Sequence, residues 1–247
     1  MSSNPWQLSV VIPIYNEADN LSTLAAEITD TLHAIPHEIL FVDDGSTDHT
    51  ENAFTALAKT YPCAKLIRHS KNYGQSAALL TGVRAAQYPW IVTLDGDNQN
   101  NPRDILSLLS VLDHPNPSQH FAVGLRKRRQ DHVIRKLTSR IGNGIRQTVL
   151  GDGCPDTGCS LKCFPRQAFL QLPHFNHMHR FLPALFQRAE LTMHMVWVDH
   201  RPRAHGVSKY GVRNRLFVGL IDLFGLIWLI RRPCHPQLSQ PHDSAPI

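Results

Sequence analysis

WIVTLDGDNQNNP, residues 90–102, decides the fold. Trp90 to Thr93 form an apolar and β-branched run of the kind that makes a strand buried on both faces, and the acids, glycine and asparagines behind it favour the turn that ends such a strand. Pro102 suits the opening of a helix. One strand, loop and helix is a common local event, but this chain repeats it. LSVVIPI, EILFVD and AKLIRH are further short apolar runs, each followed by turn residues and a helix-like segment. The spacing predicts helices over roughly Asp19 to Ala34, Thr47 to Lys59, Gln75 to Ala86 and Arg103 to Leu112. Ser46 or Thr47 can cap the second, with Glu51 in its first turn. Such alternation predicts an α/β fold, an open and mostly parallel sheet flanked by helices.

In a parallel sheet, ligands bind beyond the carboxyl ends of the strands. The loops IPIYNE, VDDGSTD, HSKNYG and LDGDNQNNP all follow predicted strands, so their polar residues should gather at one edge. Asp95 and Asp97 then supply two hard oxygen ligands at one strand end, half of a site for Mg²⁺ or Mn²⁺ that a diphosphate could complete. No GxGxxG follows the first strand and no GxxxxGK[ST] occurs, so neither a dinucleotide fold nor a P-loop is supported. The acids Asp43 and Asp44 are the remaining candidates for holding a base or ribose.

Beyond Ala122 the pattern changes. HFAVGLR, GCSLKCF and HMVWVDH read as strands, Val133 to Leu150 as a basic helix and Arg180 to Ala189 as another helix. The net charge is +5, and fifteen of the 25 lysines and arginines lie in two windows, 125–146 and 201–232. A half of the chain so basic is built to meet anions: nucleic acid, phosphate groups or an acidic membrane surface. Five cysteines, an odd number, fit reduced thiols rather than a disulfide framework. Cys154, Cys159 and Cys163 lack the paired spacing of a zinc site, and His174, His177 and His179 read as solvated or stacking rings. The apolar run near residue 10 follows no basic n-region, so it reads as a core strand and not as a signal peptide, with the active part expected in the cytoplasm.

VVIPIYNE, FVDDGSTD, NYGQSAALLTG, TLDGDNQNNP, VGLR, DTGCSLKCFPR and RAHGVSKYG, in that order and spacing, resemble the family 2 glycosyltransferases over residues 8–230. The nearest subgroup is the polyprenyl-phosphate glycosyltransferases, similar to dolichol-phosphate mannose synthases and undecaprenyl-phosphate sugar transferases. That resemblance implies a GT-A fold, a divalent cation, a nucleoside-diphosphate sugar donor, a polyprenyl phosphate acceptor and inversion at the anomeric carbon. Carried over by position, Pro13, Tyr15, Glu17, Val42 and Asp44 would bind the nucleotide, and Asp95, Gly96 and Asp97 would stand in the DxD motif with Gln99 close by. Asp95 and Asp97 would hold the metal. Arg126, Arg203 and Lys209 correspond to positive groups near the phosphates, and Asp156 to the residue usually cast as a base. A phosphate monoester with a second pKa of about 6 is already largely anionic at neutral pH, so Asp156 need not remove a proton, and orienting the acceptor, or a basic neighbour, is as good an account of it. Relatives commonly read DADLQHPP where this chain reads DGDNQNNP, leaving Asn98, Asn100 and Asn101 without a role.

The division expected is a catalytic domain over 1–210, an amphipathic helix over 211–232 and a disordered tail over 233–247. Leu216 to Ile230 is too short to cross a bilayer, since fifteen helical residues span about 22 Å against a hydrocarbon core of about 30 Å. Flanked by Arg213, Arg215, Arg231 and Arg232, it suits a helix lying among anionic head groups. The expected protein is therefore peripheral on the inner face of the plasma membrane, binds no nucleic acid, and is compatible with a homo-oligomer. Two other readings compete: a transferase for a soluble or polysaccharide acceptor, and a non-catalytic basic protein bound to membrane or nucleic acid.

Overall fold

The computed structural model describes residues 6–127, 151–202 and 212–232. They belong to two compact units, one within Met1–Lys209 and one within Tyr210–Ile247. In the first unit, seven strands form one sheet: β1 (Leu8–Ile14), β2 (His37–Asp43), β3 (Ala64–Arg68), β4 (Trp90–Thr93), β5 (His120–Arg126), β6 (Lys162–Pro165) and β7 (Thr192–Val198). Their order across the sheet is β3-β2-β1-β4-β6-β5-β7. β6 runs antiparallel to both of its neighbours, and every other pairing is parallel. The result is the mostly parallel sheet expected, with one reversed strand that the sequence pattern did not announce.

Four helices cover the parallel part: α1 (Leu21–Thr31), α2 (Thr50–Thr60), α3 (Gln75–Ala85) and α4 (Asp104–Ser110). Leu21, Leu24, Ala25 and Ile28 recur at the spacing of one helix face, and α1 buries all four. Strand residues Leu8, Val10 and Ile12 and their neighbours Ile39 and Phe41 are fully buried beneath them. Two short helices, Arg166–Leu170 and Leu182–Arg188, follow β6. The second unit contributes one helix, Val212–Ile230.

Several boundaries differ from expectation for local reasons. Ala18–Asn20 is a 3-10 turn, so α1 starts two residues late and ends at Thr31 instead of Ala34. Ser46 and Thr47 do not cap α2, because both are drawn to Asn16: the Ser46 hydroxyl accepts from the Asn16 amide (2.8 Å), and the Thr47 amide donates to the Asn16 side chain (2.7 Å). Asp48 takes over, accepting from the amide of Thr50 at 3.1 Å and from its hydroxyl at 2.5 Å. The basic helix expected over 133–150 lies outside the described residues.

Candidate active site

The carboxyl ends of β1, β2, β3 and β4 share one edge, as the parallel registers require. Asn16, just past β1, fastens that edge together. Its backbone adopts a positive φ of 54°, and its side-chain oxygen accepts from the amides of Thr47 (2.7 Å) and Asp48 (3.3 Å) beyond β2. Pro13 stands opposite Val42 in register. Val42 is fully buried, while Pro13, Tyr15 and Glu17 are half-buried along the rim. The Glu17 carboxylate accepts from the Asn20 side chain at 2.6 Å.

The acids Asp43 and Asp44 are spent on the protein's own chain. Asp43 accepts from the Ser46 amide (2.8 Å) and lies 3.3 Å from the Arg68 guanidinium. Asp44 accepts from the amides of Tyr73 (2.9 Å) and Gly74 (2.7 Å) and from His69 Nδ1–H (2.8 Å), whose other ring nitrogen meets the Thr81 hydroxyl at 2.9 Å. Asp44 therefore latches the loop that leads into α3. Gly45 makes the turn possible: its φ is +75°, and a Cβ there would sit 2.5 Å from the backbone carbonyl carbon of Lys71.

Asp95 and Asp97 are placed otherwise. The Gln75 side chain, at the first position of α3, donates to Asp95 at 2.9 Å, and the Gln99 amide donates to Asp97 at 3.2 Å. Burial raises the pKa of the Asp95 carboxyl, and the charge of Asp97 raises it further, against Ser160, Lys162 and Arg126. Gly96 lets this loop press onto the end of β1, since a Cβ there would meet the Ile14 Cγ2 methyl at 2.6 Å. The three asparagines now have roles. Asn98 takes a positive φ of 58° and donates to the Asn20 side chain (3.1 Å). Asn100, buried, accepts from the Ser160 hydroxyl (2.7 Å) and forms a bridge with His200. Asn101 accepts from the Arg201 guanidinium (3.0 Å), which also grips Glu27 of α1 at 2.8 and 2.9 Å. Together with the bonds between Gln99 and Arg201, these contacts strap the acidic loop to the segment after β7.

The second half of the edge carries a buried ion pair. Arg126 ends β5, and its Nε and Nη2 donate to the two oxygens of Asp156 at 2.7 Å each. Burial alone would lower the pKa of this guanidinium, but the bonds to Asp156 outweigh it and hold the value above the ordinary one. Lys162 opens β6 opposite Thr93 and is also buried. Its ammonium donates to the backbone oxygens of Cys159 and, at 3.3 Å, of Thr157; burial pushes its pKa down while Asp95 and Asp156 work to hold it up.

Residues 9–172 match the glycosyl transferase family 2 model, about two thirds of the chain. The chain belongs to this family. Among curated relatives of this family 2 glycosyltransferase, it is 34% identical over 236 residues to dodecaprenyl-phosphate galacturonate synthase of Rhizobium johnstonii, covering 93% of this chain and 69% of that protein. It is 33% identical over 212 residues to undecaprenyl-phosphate 4-deoxy-4-formamido-L-arabinose transferase of Yersinia enterocolitica, covering 83% of this chain and 63% of the relative. The chain thus spans about two thirds of the length of these relatives. Among solved structures, glucosyl-3-phosphoglycerate synthase from Mycobacterium tuberculosis, with Mg²⁺ and uridine diphosphate, superposes with a TM-score of 0.69 at 17% identity, covering 90% of this chain and 80% of that one. Mannosyl-3-phosphoglycerate synthase from Rubrobacter xylanophilus gives 0.68 at 16% identity, covering 96% and 78%. These likenesses establish the GT-A fold.

The fold brings Pro13, Tyr15, Glu17, Val42, Asp44, Asp95, Gly96, Asp97, Gln99, Arg126 and Asp156 to one sheet edge. Arg203 and Lys209 lie outside the described residues. Sequence reasoning passed over Gln75 and Lys162. A lone lysine inside the apolar run GCSLKCF was the available signal for Lys162, because an unpaired charge is rarely buried. Gln75 gave none beyond its place at the start of α3. The cysteines behave as small core residues: Cys154, Cys159 and Cys163 are buried, with burial raising the thiol pKa of Cys159 and Cys163. His179 bonds to Ser76 (2.8 Å) and His174 to the Phe169 carbonyl (3.2 Å).

Proposed function

We propose that this chain transfers a sugar, with inversion, from a nucleoside-diphosphate sugar to a polyprenyl phosphate, using Mg²⁺ or Mn²⁺ at Asp95 and Asp97. The observation that carries the reading is the meeting of the Asp95–Gly96–Asp97 loop with the Asp156–Arg126 pair at one sheet edge, where Arg126 is near enough to act on the Asp95 carboxyl. The two curated relatives supply the acceptor class, since both names specify a polyprenyl phosphate.

The acid pair fits a hard divalent cation. Two carboxylates leave one strand end, and burial first and the charge of Asp97 second raise the pKa of Asp95, both costs of ionisation that a cation would offset. When bound there, Mg²⁺ or Mn²⁺ would offset the charge of the donor diphosphate. Gln75 and Gln99 fix the two carboxylates in place. Tyr15, Glu17 and Pro13 form the rim on which the nucleotide rests, and Asp44 contributes by holding the Tyr73–Gly74 backbone beside it. An acceptor phosphate oxygen attacks the anomeric carbon from the face opposite the diphosphate. The new C–O bond forms as the old one breaks, and its electron pair leaves on the diphosphate oxygen. Asp156, engaged on both oxygens by Arg126, orients that guanidinium towards phosphate and is a poor proton acceptor while so paired. Arg203 and Lys209 would add positive charge at the leaving group.

The C-terminal helix supports a lipid acceptor and a peripheral position on a membrane surface. Ile221, Phe224 and Trp228 recur at helical spacing and are 58%, 70% and 61% exposed. The Arg232 guanidinium lies over the Trp228 ring at 5.5 Å, next to Arg231, which is the pattern of an interfacial helix. Among the described residues no helix is long and apolar enough to cross a membrane.

The test supplies radiolabelled sugar nucleotides and Mn²⁺, with and without polyprenyl phosphate in anionic liposomes. Label should enter the lipid phase, and EDTA should stop it. Label confined to a soluble or polysaccharide product would overturn the acceptor, and no donor turnover with any acceptor would overturn catalysis. Asp156→Asn should lower turnover strongly with donor binding kept; a fully active variant removes Asp156 from the site.

A further inference from the structure

Far from this edge, three histidines from separate parts of the sequence meet. His120 opens β5, and His194 lies on β7 opposite Ala122, one diagonal step from His120 on the same sheet face. His114 belongs to the connection that leads into β5. One ring nitrogen from each of the three lies within 4.8 Å of the other two. His120 Nδ1 and His194 Nε2 are 3.0 Å apart, and the rings of His114 and His120 stack with centroids 4.4 Å apart. We propose that His114, His120 and His194 form a binding site for a divalent transition metal of the zinc class, separate from the acidic pair.

The chemistry of the donors favours such an ion. Three imidazoles suit Zn²⁺, Cu²⁺ or Ni²⁺ and disfavour Mg²⁺, which takes oxygen ligands. Tetrahedral coordination with Zn–N bonds of about 2.0–2.1 Å sets ligand nitrogens about 3.4 Å apart, so His120 and His194 are close to that separation and the exposed His114 ring needs only to turn inward. Among the described residues none of the three forms an ion pair with a carboxylate that would compete for the metal. Burial lowers the pKa of His120 and His194, and their histidine neighbours lower it further, which keeps the rings neutral and their lone pairs available at neutral pH. On binding, whichever ring donates the His120–His194 hydrogen bond moves its proton to its other nitrogen. Pro115 and Pro117 stiffen the connection between His114 and His120, part of which is the 3-10 turn Pro117–Gln119.

The site would tie the edge strand β7 to β5 and to the connection before it. It lies at the amino end of β5, about 20 Å of strand from Arg126 at the other end. Its occupancy should therefore bear on stability and not on the transfer step.

The experiment uses the full chain without an affinity tag, stripped of metal, titrated with Zn²⁺ against a chromophoric chelator and loaded with Cu²⁺ for electron paramagnetic resonance. Loss of even an outer-shell partner lowers metal affinity about 10- to 100-fold, so His120→Gln and His194→Gln should each weaken Zn²⁺ by at least about 100-fold. Asp97→Asn should leave that affinity intact, and the Cu²⁺ spectrum should show coupling to more than one nitrogen. Equal Zn²⁺ affinity in wild type and all three histidine variants, Zn²⁺ uptake lost with Asp97 instead, or coupling to a single nitrogen would each overturn the site. Should the strand variants misfold, the wild-type Cu²⁺ spectrum and the exposed His114→Gln variant decide.

Discussion

The loops VDDGSTD and LDGDNQ follow β2 and β4, the two strands that flank β1, and open onto the same edge. The first offers Asp43, Asp44 and Asp48 around Gly45, the second Asp95 and Asp97 around Gly96. In the first, backbone amides and basic side chains engage the acids: Asp44 alone takes three donors, two of them main-chain, and Asp43 one amide and the charge of Arg68. In the second, Asp95 keeps its place against burial and the charge of Asp97, with its pKa raised. Acids engaged by the protein's own amides build a loop, whereas acids set against each other form a site that an outside cation completes.

The sharpest way to break this contrast is Asp97→Asn. Loss of one carboxylate ligand should lower kcat/KM by about 10³-fold, in the range of a metal's electrostatic contribution to charge stabilisation, while relief of the repulsion on Asp95 leaves the melting temperature unchanged or higher. Turnover and thermal denaturation on one preparation check it, and a variant that is destabilised yet active would erase the distinction. Asp44→Ala should show the reverse balance. It strands the Tyr73 and Gly74 amides and should cost about 3 kcal/mol, read as a lowered urea midpoint.

The glycines sharpen the same comparison. Gly45→Ala meets the Lys71 backbone at 2.5 Å with φ at +75°, and should cost about 3 kcal/mol. Gly96→Ala meets the Ile14 methyl at 2.6 Å and the Pro13 carbonyl oxygen at 3.3 Å, and should cost about 1–2 kcal/mol, with a larger effect on activity than on stability because it displaces the acids. Equal losses of stability would show that Ile14 cannot yield.

The smallest effect expected belongs to Glu38, which resembles Asp44 in treatment. Burial works to raise its carboxyl pKa, but bonds from the Gln87 amide, the Ser9 hydroxyl and Lys65 outweigh it and hold the value below the ordinary 4.5. The stabilisation is therefore complete above pH 4.5 and is lost as the pH falls through the folded value. Glu38→Gln should flatten that acid limb in a denaturation series measured against pH.

Much of the fold was legible in the chain because the periods that carry it are local. Short apolar runs such as LSVVIPI and EILFVD gave the strands, and the helical spacing of Leu21, Leu24, Ala25 and Ile28 fits the buried face of α1. The reversed direction of β6 was not legible. A four-residue strand such as Lys162–Pro165 looks the same in a parallel or an antiparallel ladder. The asparagines were opaque for a similar reason: Asn98, Asn100 and Asn101 act through Asn20, Ser160 and Arg201, at separations of 78, 60 and 100 residues.

By itself, the sequence determined that polar loops would gather at the carboxyl edge of a parallel sheet and that Asp95 and Asp97 would stand there, because strand period and turn chemistry act over a few residues. Only the tertiary structure decided which acids remain set against each other, that Asp156 would be held by Arg126, and that His194 would come within 3.0 Å of His120. Those outcomes depend on partners 30 and 74 residues away, and a hydrogen bond or a shared charge exists only once the sheet has brought both ends together.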